Sequence, residues 1–389
     1  MGLFNRKNRQ PAVEEQRSVT SLPWEMYGPS SSNVTPESAA SIVPVFASMR
    51  ILSENIATLP IDAYRNVGGK LTPQSYVPPL FYSPAVRDNI VQWVSKCLVS
   101  LALRGNAYGV ITQRDQLGFP TQVEWLHPDD VHVDESSSVK PVYYYQGHQV
   151  DTSDVVHIPW IVMPGRVVGM SPVQAFAATM GIGLHATEYG KRWFENGGLP
   201  PATVKNNAKT VGPDEATEIG ARMGKSIRSG RPLVLGKDWD FEAIPVNPNE
   251  SQFIETMKLN ATQIAAIYGV PPTAVGGELG GSLTYSTDEQ QTNSLITLTL
   301  RPWMIRLETA FSALLSPNEE VRFNPDAMIR TSIQDRYENH NLALEGGWMN
   351  VDEVRAKENL PPLPNGAGQV YRIPGAASAT PSPDEGVTE

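Results

Sequence analysis

The sequence predicts an α+β fold, with strands and helices segregated along the chain rather than alternating. Two observations carry this. Short β-branched or aromatic runs, separated by Gly, Pro or Asp turns, crowd residues 107–158 behind two helices. Long stretches of helical apolar periodicity follow, at about 171–196, 250–268 and 286–315. The 389 residues suffice for two or three substructures around a sizeable core, and 40% apolar residues is ordinary for a soluble globular protein.

Residues 1–34, rich in Pro, Ser and polar side chains, predict a flexible N-terminal arm. A helix then starts where Thr35 can cap, Pro36 suits the first position and Glu37 complements the dipole. Its predicted apolar stripe is Ile42, Phe46, Met49, Leu52 and Ile56, with Pro44 expected to kink or delay it. Ile61–Tyr64 predicts a strand and 66–69 a turn. A second helix is expected from about Val86 to Arg104, ended by Gly105. Strands follow at Ala107–Arg114, Gln122–Leu126, Val131–Val133, Val142–Tyr145 and Val155–Ile158.

Ser171-Pro172 opens a helix expected to reach Asn196, roughly 38 Å long. An insertion over 198–245 reads as strands near Ala202–Lys205, Leu233–Leu235 and Phe241–Ile244 with a helix from Pro213 to Ser229. The next helix, Glu250–Tyr268, places Phe253, Ile254, Met257, Ala261, Ile264, Ala265 and Tyr268 on one face, and Gly269 with Pro271-Pro272 ends it. After a Gly-rich loop, Ser286 and Glu289 form a capping box for a helix to about Leu315, kinked at Pro302. Val321–Phe323 predicts a strand, 333–345 and 351–359 short helices, and the Pro-, Ala- and Ser-rich end a disordered tail.

Composition excludes several classes. One cysteine, Cys97, allows no intrachain disulfide and points to a reducing compartment. Residues 1–10 lack the apolar core of a signal peptide, and the longest apolar stretch, Ile90–Thr112, is broken by Lys96, Arg104 and Gly105, so no membrane span is expected. A net charge of −10 argues against gripping nucleic acid through the overall field; composition alone does not separate a wall past which DNA slides, phosphate being repelled by acidic surfaces, from a protein that never meets DNA.

No catalytic or cofactor motif is complete. Gly224-Lys225-Ser226 resembles the end of a phosphate-binding loop, but the glycine needed five residues earlier is Ile219 and the segment reads as helix. Gly276 to Gly281 is glycine-rich but follows a helix, without the βαβ setting of a dinucleotide site. Among the histidines, His127 and His132 lie near Asp129, Asp130 and Asp134; a polar turn between strands explains them more simply than a metal. Cys97 reads as core, and the sequons at Asn33 and Asn260 carry no weight in a reducing compartment. The reading is therefore of a protein without enzymatic activity or cofactor.

Two blocks give the function. Tyr189-Gly-Lys-Arg-Trp-Phe-Glu-Asn-Gly-Gly-Leu-Pro-Pro201 resembles the Phe-x-Asn-Gly-x-x-Pro signature of phage portal proteins of the HK97 type. Leu259-Asn-Ala-Thr-Gln-Ile-Ala-Ala-Ile-Tyr-Gly-Val-Pro-Pro272, preceded by Gln252-Phe253, looks like the same family's most recognisable block. Ser286 to Gln290, Leu298 to Pro302, and Val34 to Arg65 are similar to further family segments, in the right order over 35–364. The resemblance implies a dodecameric ring at one capsid vertex of the virion, assembled in the host cytoplasm. Double-stranded DNA is packaged and ejected through it. The large terminase subunit, a head–tail adaptor and the major capsid or scaffold protein are the implied partners, with no membrane. It also implies a division of the chain: a wing over 35–170 and 286–325, stem helices at 171–197 and 249–269, a clip at 198–248, a tunnel loop at 270–285, a crown at 326–364 and a tail at 365–389.

Within that map two sets of residues stand out. Val275, Gly276, Gly277, Glu278, Leu279, Gly280, Gly281, Ser282, Leu283 and Thr284 would face the channel; no Lys or Arg occurs between Lys258 and Arg301, so contact with DNA would be non-adhesive. Arg222, Lys225 and Arg228, spaced by three, with Arg231 beyond, form either a docking stripe or a solvated face beside Asp214, Glu215 and Glu218. Gly181, Gly183 and Gly190 each cost a helix about 1 kcal/mol against Ala, which close packing against a neighbouring subunit or local helix breaks would explain. Competing readings are a minor head or connector protein without motor docking, and an unrecognised oligomeric cytosolic hydrolase.

Overall fold

The computed structural model describes residues 34–195, 202–208, 210–228, 238–243, 250–278, 292–328, 333–358 and 360–372. The expected arm, the strand at 233–235, Arg231 and residues 279–284 lie outside the described residues. The chain divides into a unit ending at Pro325 and a second beginning at Asp326.

The first unit opens with α1 (Pro36–Ala40), capped by Thr35, whose hydroxyl accepts from Ser38 N at 3.1 Å. Pro44 does not kink a single helix. It sits in the first turn of α2 (Val43–Ala57), after a break at Ser41-Ile42. That break shifts the helical phase. Ile42, Val45, Leu52 and Ile56 are buried, whereas Phe46, expected on the stripe, is half exposed. β1 (Ile61–Val67) and β2 (Lys70–Pro73) form a hairpin, and β1 pairs on its other edge with β11 (Glu319–Phe323), bringing Ala63 opposite Val321.

α3 (Pro79–Tyr82) and α4 (Ile90–Arg104) follow. Asn89 caps α4 and Gln92 completes the box, so the helix begins four residues later than the apolar pattern suggests. Gly105 ends it at φ +70, where any Cβ would lie 2.1 Å from the Met170 carbonyl oxygen. The core gathers around Trp93 of α4. Its ring lies 4.9 Å from those of both Trp125 and Phe311, and its Nε1 donates to Val123 O at 2.7 Å. That bond satisfies the only polar atom of a wholly buried indole. Cys97 is buried nearby, and burial pushes its thiol pKa up.

β3 (Asn106–Arg114) is the centre of an antiparallel sheet with β4 (Pro120–Leu126) and β8 (Val155–Pro159) at its edges. A second small sheet, β5 (Val131–Asp134), β6 (Val142–Tyr145) and β7 (His148–Val150), includes a strand absent from the sequence reading. The β6–β7 turn is Gln146-Gly147, both at positive φ. Gln is an uncommon residue in that conformation, so the hairpin carries a weak sequence signal.

A buried polar network joins the two sheets. Asn106 Nδ2 donates to Gly169 O at 2.8 Å and to Arg104 O at 3.1 Å, so its Oδ1 is the acceptor facing Gly169 N at 2.7 Å and His157 Nε2 at 3.0 Å. His157 therefore carries its proton on Nε2, and Nδ1 accepts from the Tyr143 hydroxyl at 3.2 Å. Tyr108 stacks on the ring at 4.5 Å.

The helix expected from Ser171 is broken at Phe176 into α5 (Pro172–Ala175) and α6 (Ala177–Glu195). β9 (Ala202–Asn206), α7 (Pro213–Arg228) and β10 (Trp239–Ala243) make up the described part of the insertion, with Val204 opposite Phe241. α8 (Glu250–Tyr268) matches the expected bounds, and a 3-10 turn spans Pro272–Val275. The disturbance expected at Pro302 is a π-helical segment, Leu295–Leu300, running into α9 (Arg301–Ser312). The wider turn ahead of the proline accommodates its ring and missing N–H. Thr299 Oγ1 fastens the segment to Gly269 O at 2.6 Å.

The second unit contains α10 (Ile333–Glu345) and α11 (Val351–Lys357), the latter capped by Asn350 with Glu353. The chain after Pro361 is not a tail from its start. Asp352 N donates to Gly368 O at 3.0 Å, and the Tyr371 hydroxyl donates to Glu353 at 2.7 Å. Residues 373–389 lie outside the described ones.

Burial lowers the His157 pKa from 6.5 to about 4, against a small opposing pull from Glu135. The unfolded chain thus binds a proton that the native ring refuses. Stability should fall as pH drops from about 6.5 to 4, by up to about 1.4 kcal/mol per pH unit from this residue. Denaturant melts across that range check this, and His157→Gln should flatten the dependence.

Candidate functional site: a close-packed helix pair and the loop beyond it

α6 and α8 pack antiparallel, because Thr179 and Gly183 meet Asn260 whereas Tyr189 and Gly190 meet Phe253. Asn260 is 4% exposed, and its Nδ2 donates to Thr179 O at 2.7 Å. A Cβ at Gly183 would lie 2.7 Å from Asn260 Oδ1, and one at Gly190 would lie 3.4 Å from Phe253 Cζ. Gly183 therefore serves close packing within the chain, whereas a Cβ at Gly190 would make only an ordinary contact, and α6 runs unbroken through both. The sequence pattern located the glycines but not their partner. Asn260, a lone amide between Met257 and Ile264 on an apolar face, was the available signal.

The buried face of α8 holds Ala261, Ile264, Ala265 and Tyr268. Ile254 is half exposed, one step out of phase with Phe253 and Met257. Ile182 and Tyr189 on α6 and Leu259 on α8 are exposed as well, so among the described residues the pair retains uncovered apolar surface.

The residues that open the expected loop are built into the helix end. Val275 is buried, Gly276 closes the 3-10 turn at φ +84, and Gly277 N donates to Pro272 O at 2.7 Å. A Cβ on Gly277 would lie 2.7 Å from Thr262 Oγ1. Glu278 N donates to that hydroxyl at 3.1 Å, and its carboxylate pairs with Lys258. Any free excursion of the chain therefore starts beyond Glu278, where Leu279, Gly280, Gly281, Ser282, Leu283 and Thr284 lie outside the described residues.

Arg222 is exposed on α7, which also carries Lys225 and Arg228. Gly224-Lys225-Ser226 lies inside that helix, which removes the strand-to-helix setting a phosphate loop requires. Glu37, His127 and Asp129 approach one another at the surface, but the Arg104 guanidinium sits between the two carboxylates, at 2.7 Å from Asp129 Oδ2 and paired with Glu37. A cation already occupies the place a metal would take. His132 faces Tyr144 instead.

Known proteins agree with this geometry. The phage portal protein family matches residues 44–359. The chain is 30% identical to the probable portal protein of Streptomyces phage phiC31, over 96% of this chain and 87% of that one. It is 25% identical to the portal protein of Enterobacteria phage HK97, over 86% and 82%. The crystal structure of an HK97 family phage portal protein from Corynebacterium diphtheriae superposes with a TM-score of 0.58 at 16% identity, covering 77% of this chain and 98% of that one. A chain from the neck of an empty GTA particle, computed with C6 symmetry, gives 0.59 at 21% identity, covering 87% and 95%. This chain belongs to the phage portal protein family and is of the HK97 type. Membership makes it a structural protein and not an enzyme.

The two glycines should respond differently to alanine. Alanine gains about 1 kcal/mol of helix propensity at either site. At Gly183 the contact with a locked amide outweighs it, so Gly183→Ala should destabilise by about 1–3 kcal/mol. At Gly190 the contact is ordinary, so Gly190→Ala should be neutral or stabilising by up to about 1 kcal/mol. Urea denaturation of the two variants checks the contrast.

Proposed function

We propose that this chain is the repeating subunit of a dodecameric ring at one vertex of a capsid, the passage through which double-stranded DNA enters and leaves. One observation carries the reading: an antiparallel, glycine-packed helix pair flanks a compact β9–α7–β10 insertion. The exposed Ile182, Tyr189, Ile254 and Leu259 on that pair suit burial by neighbouring copies. Similar chains come from GTA necks computed with C6 and with C12 symmetry, which supports a closed ring in a virion.

In this reading the parts up to 170 and from 286 to 325 form the wing. α6 and α8 are the stem, the insertion at 198–248 is the clip, 270–285 the tunnel loop and 326–364 the crown. The clip receives the large terminase subunit during packaging and the head–tail adaptor afterwards. The wing meets the major capsid or scaffold protein, and assembly takes place in the host cytoplasm. Leu279 to Thr284 face DNA without a cation to grip phosphate, so their contact with it is weakly salt-dependent.

Negative-stain images of purified protein should show large rings with a central hole, and light scattering that found a stable monomer at micromolar concentration would overturn the reading. Deleting Leu279–Leu283, which spares the folded Val275–Glu278, should leave rings intact and impair DNA packaging or retention. Replacing Arg222, Lys225 and Arg228 by Glu should change stability by no more than about 0.5 kcal/mol. It should also weaken terminase docking in a packaging assay; normal packaging would remove the stripe from the docking surface.

A further inference from the structure

The outer face of α9 carries two guanidinium groups that no carboxylate meets. Arg306 is half-buried, with its Cζ 6.0 Å from the centre of the Trp303 ring, and Trp303 in turn stacks on Trp160 at 5.4 Å. Burial lowers the Arg306 pKa, and no acidic side chain offsets it. Arg301 is exposed on the same helix. Among the described residues neither arginine pairs with an Asp or Glu, and the helix's one acid, Glu308, accepts from Phe323 N at 2.9 Å. Leu298 and Ile305, 72% and 46% exposed, accompany these cations. An arginine held over an indole, partly desolvated and beside bare aliphatic side chains, is the chemistry of a protein contact. A DNA backbone would meet the two cations but offers nothing to Leu298 and Ile305.

A complementary face exists on α2. Val43, Phe46, Arg50 and Glu54 are exposed there and follow one another at helical spacing. Val43 and Phe46 are bare apolar side chains, and the Glu54 carboxylate has no cation partner among the described residues. α2 packs on α4, and α4 meets α9 where the Trp93 ring touches that of Phe311. The exposed faces of α2 and α9 therefore look away from α4 on separate flanks of the first unit. Two different, complementary patches on one subunit are what a head-to-tail contact needs, and contacts of that kind close into rings.

We propose that the α9 face of one subunit docks on the α2 face of a second copy of this chain, with Leu298 and Ile305 against Val43 and Phe46 and the Arg306 guanidinium on the Glu54 carboxylate. The apolar contacts exclude water from the ion pair, and the ion pair selects the register. Arg50, one turn from Glu54, would repel Arg301 and Arg306 if it took that place. The contact rests on the ring proposed above and supplies one of its seams.

The test uses the full-length protein, with the wild type imaged in parallel. Phe46→Cys and Ile305→Cys combined in one chain and treated with a short bismaleimide should give a ladder of multimers on a denaturing gel, while either cysteine alone should leave monomer. Cys97 is buried and does not compete. Arg306→Glu should shift the light-scattering mass from ring towards monomer, and adding Glu54→Arg to the same chain should restore it; if Arg306→Glu unfolds, the crosslink carries the test. Wild-type rings without a ladder, a dimer from either single cysteine, or a folded charge swap that stays monomeric would overturn the contact and leave the ring standing. Intact Arg306→Glu rings that lose DNA binding would assign the arginine to phosphate and overturn the contact as well. A wild type that forms no ring would overturn both readings.

Discussion

The contact on which this structure turns is the one between Gly183 and Asn260. It brings the backbone of α6 within reach of a side chain on α8 that is itself held by the Thr179 carbonyl. Distance between two helices is ordinarily set by whatever side chains fill the gap, and repacking can change it. Here one helix contributes no side chain and the other contributes one hydrogen-bonded in place, so the spacing is set by backbone. The partial faces of α8 that remain then decide the rest: Ile264, Ala265 and Tyr268 turn into the core, while Ile254 and Leu259 turn outward. The helix pair carries the small β9–α7–β10 insertion at one end and the Pro271-Pro272 turn at the other.

Most of the elements were legible because their boundary chemistry was local. Thr35, Gly105, Ser171 and Gly269 start or stop helices through hydrogen bonds or backbone angles that depend only on near neighbours. Where the reading failed, the determinant was distant or unusual. Phe46 misled because a stripe extrapolated across Pro44 keeps a phase that the chain resets at Ser41-Ile42. β7 escaped because its turn uses Gln146 where Asn or Asp would have announced it. The stretch after Pro361 has a tail's composition, yet backbone hydrogen bonds to α11 fix it, and backbone groups leave no trace in composition.

The candidate site divides along the same line. Residues 189–195 of the first family block lie in α6 and the block at 259–272 spans the end of α8 and the turn after it, so this framework could be located from residues alone, while 196–201 lie outside the described residues. What those residues do to one another could not. Asn260 looks like a polar interruption until Thr179 is opposite it, and Glu278 looks like a loop carboxylate until Lys258 is beside it. The first pairing joins residues 81 apart on two helices and the second folds the chain beyond the Pro271-Pro272 turn back onto α8, and pairwise chemistry of that kind is created by the fold.

The π segment at Leu295–Leu300 stores something an ordinary helix does not. Its hydrogen bonds reach five residues along the chain where those of an α-helix reach four, so the helix carries one inserted residue just ahead of Pro302. Closing that turn to an ordinary α turn would bring the Pro302 ring against the Leu298 carbonyl, so the proline keeps the turn wide. The Thr299 hydroxyl on the Gly269 carbonyl is the catch that holds the inserted residue where it is. Proline and hydroxyl together therefore hold the helix in a single register at this point.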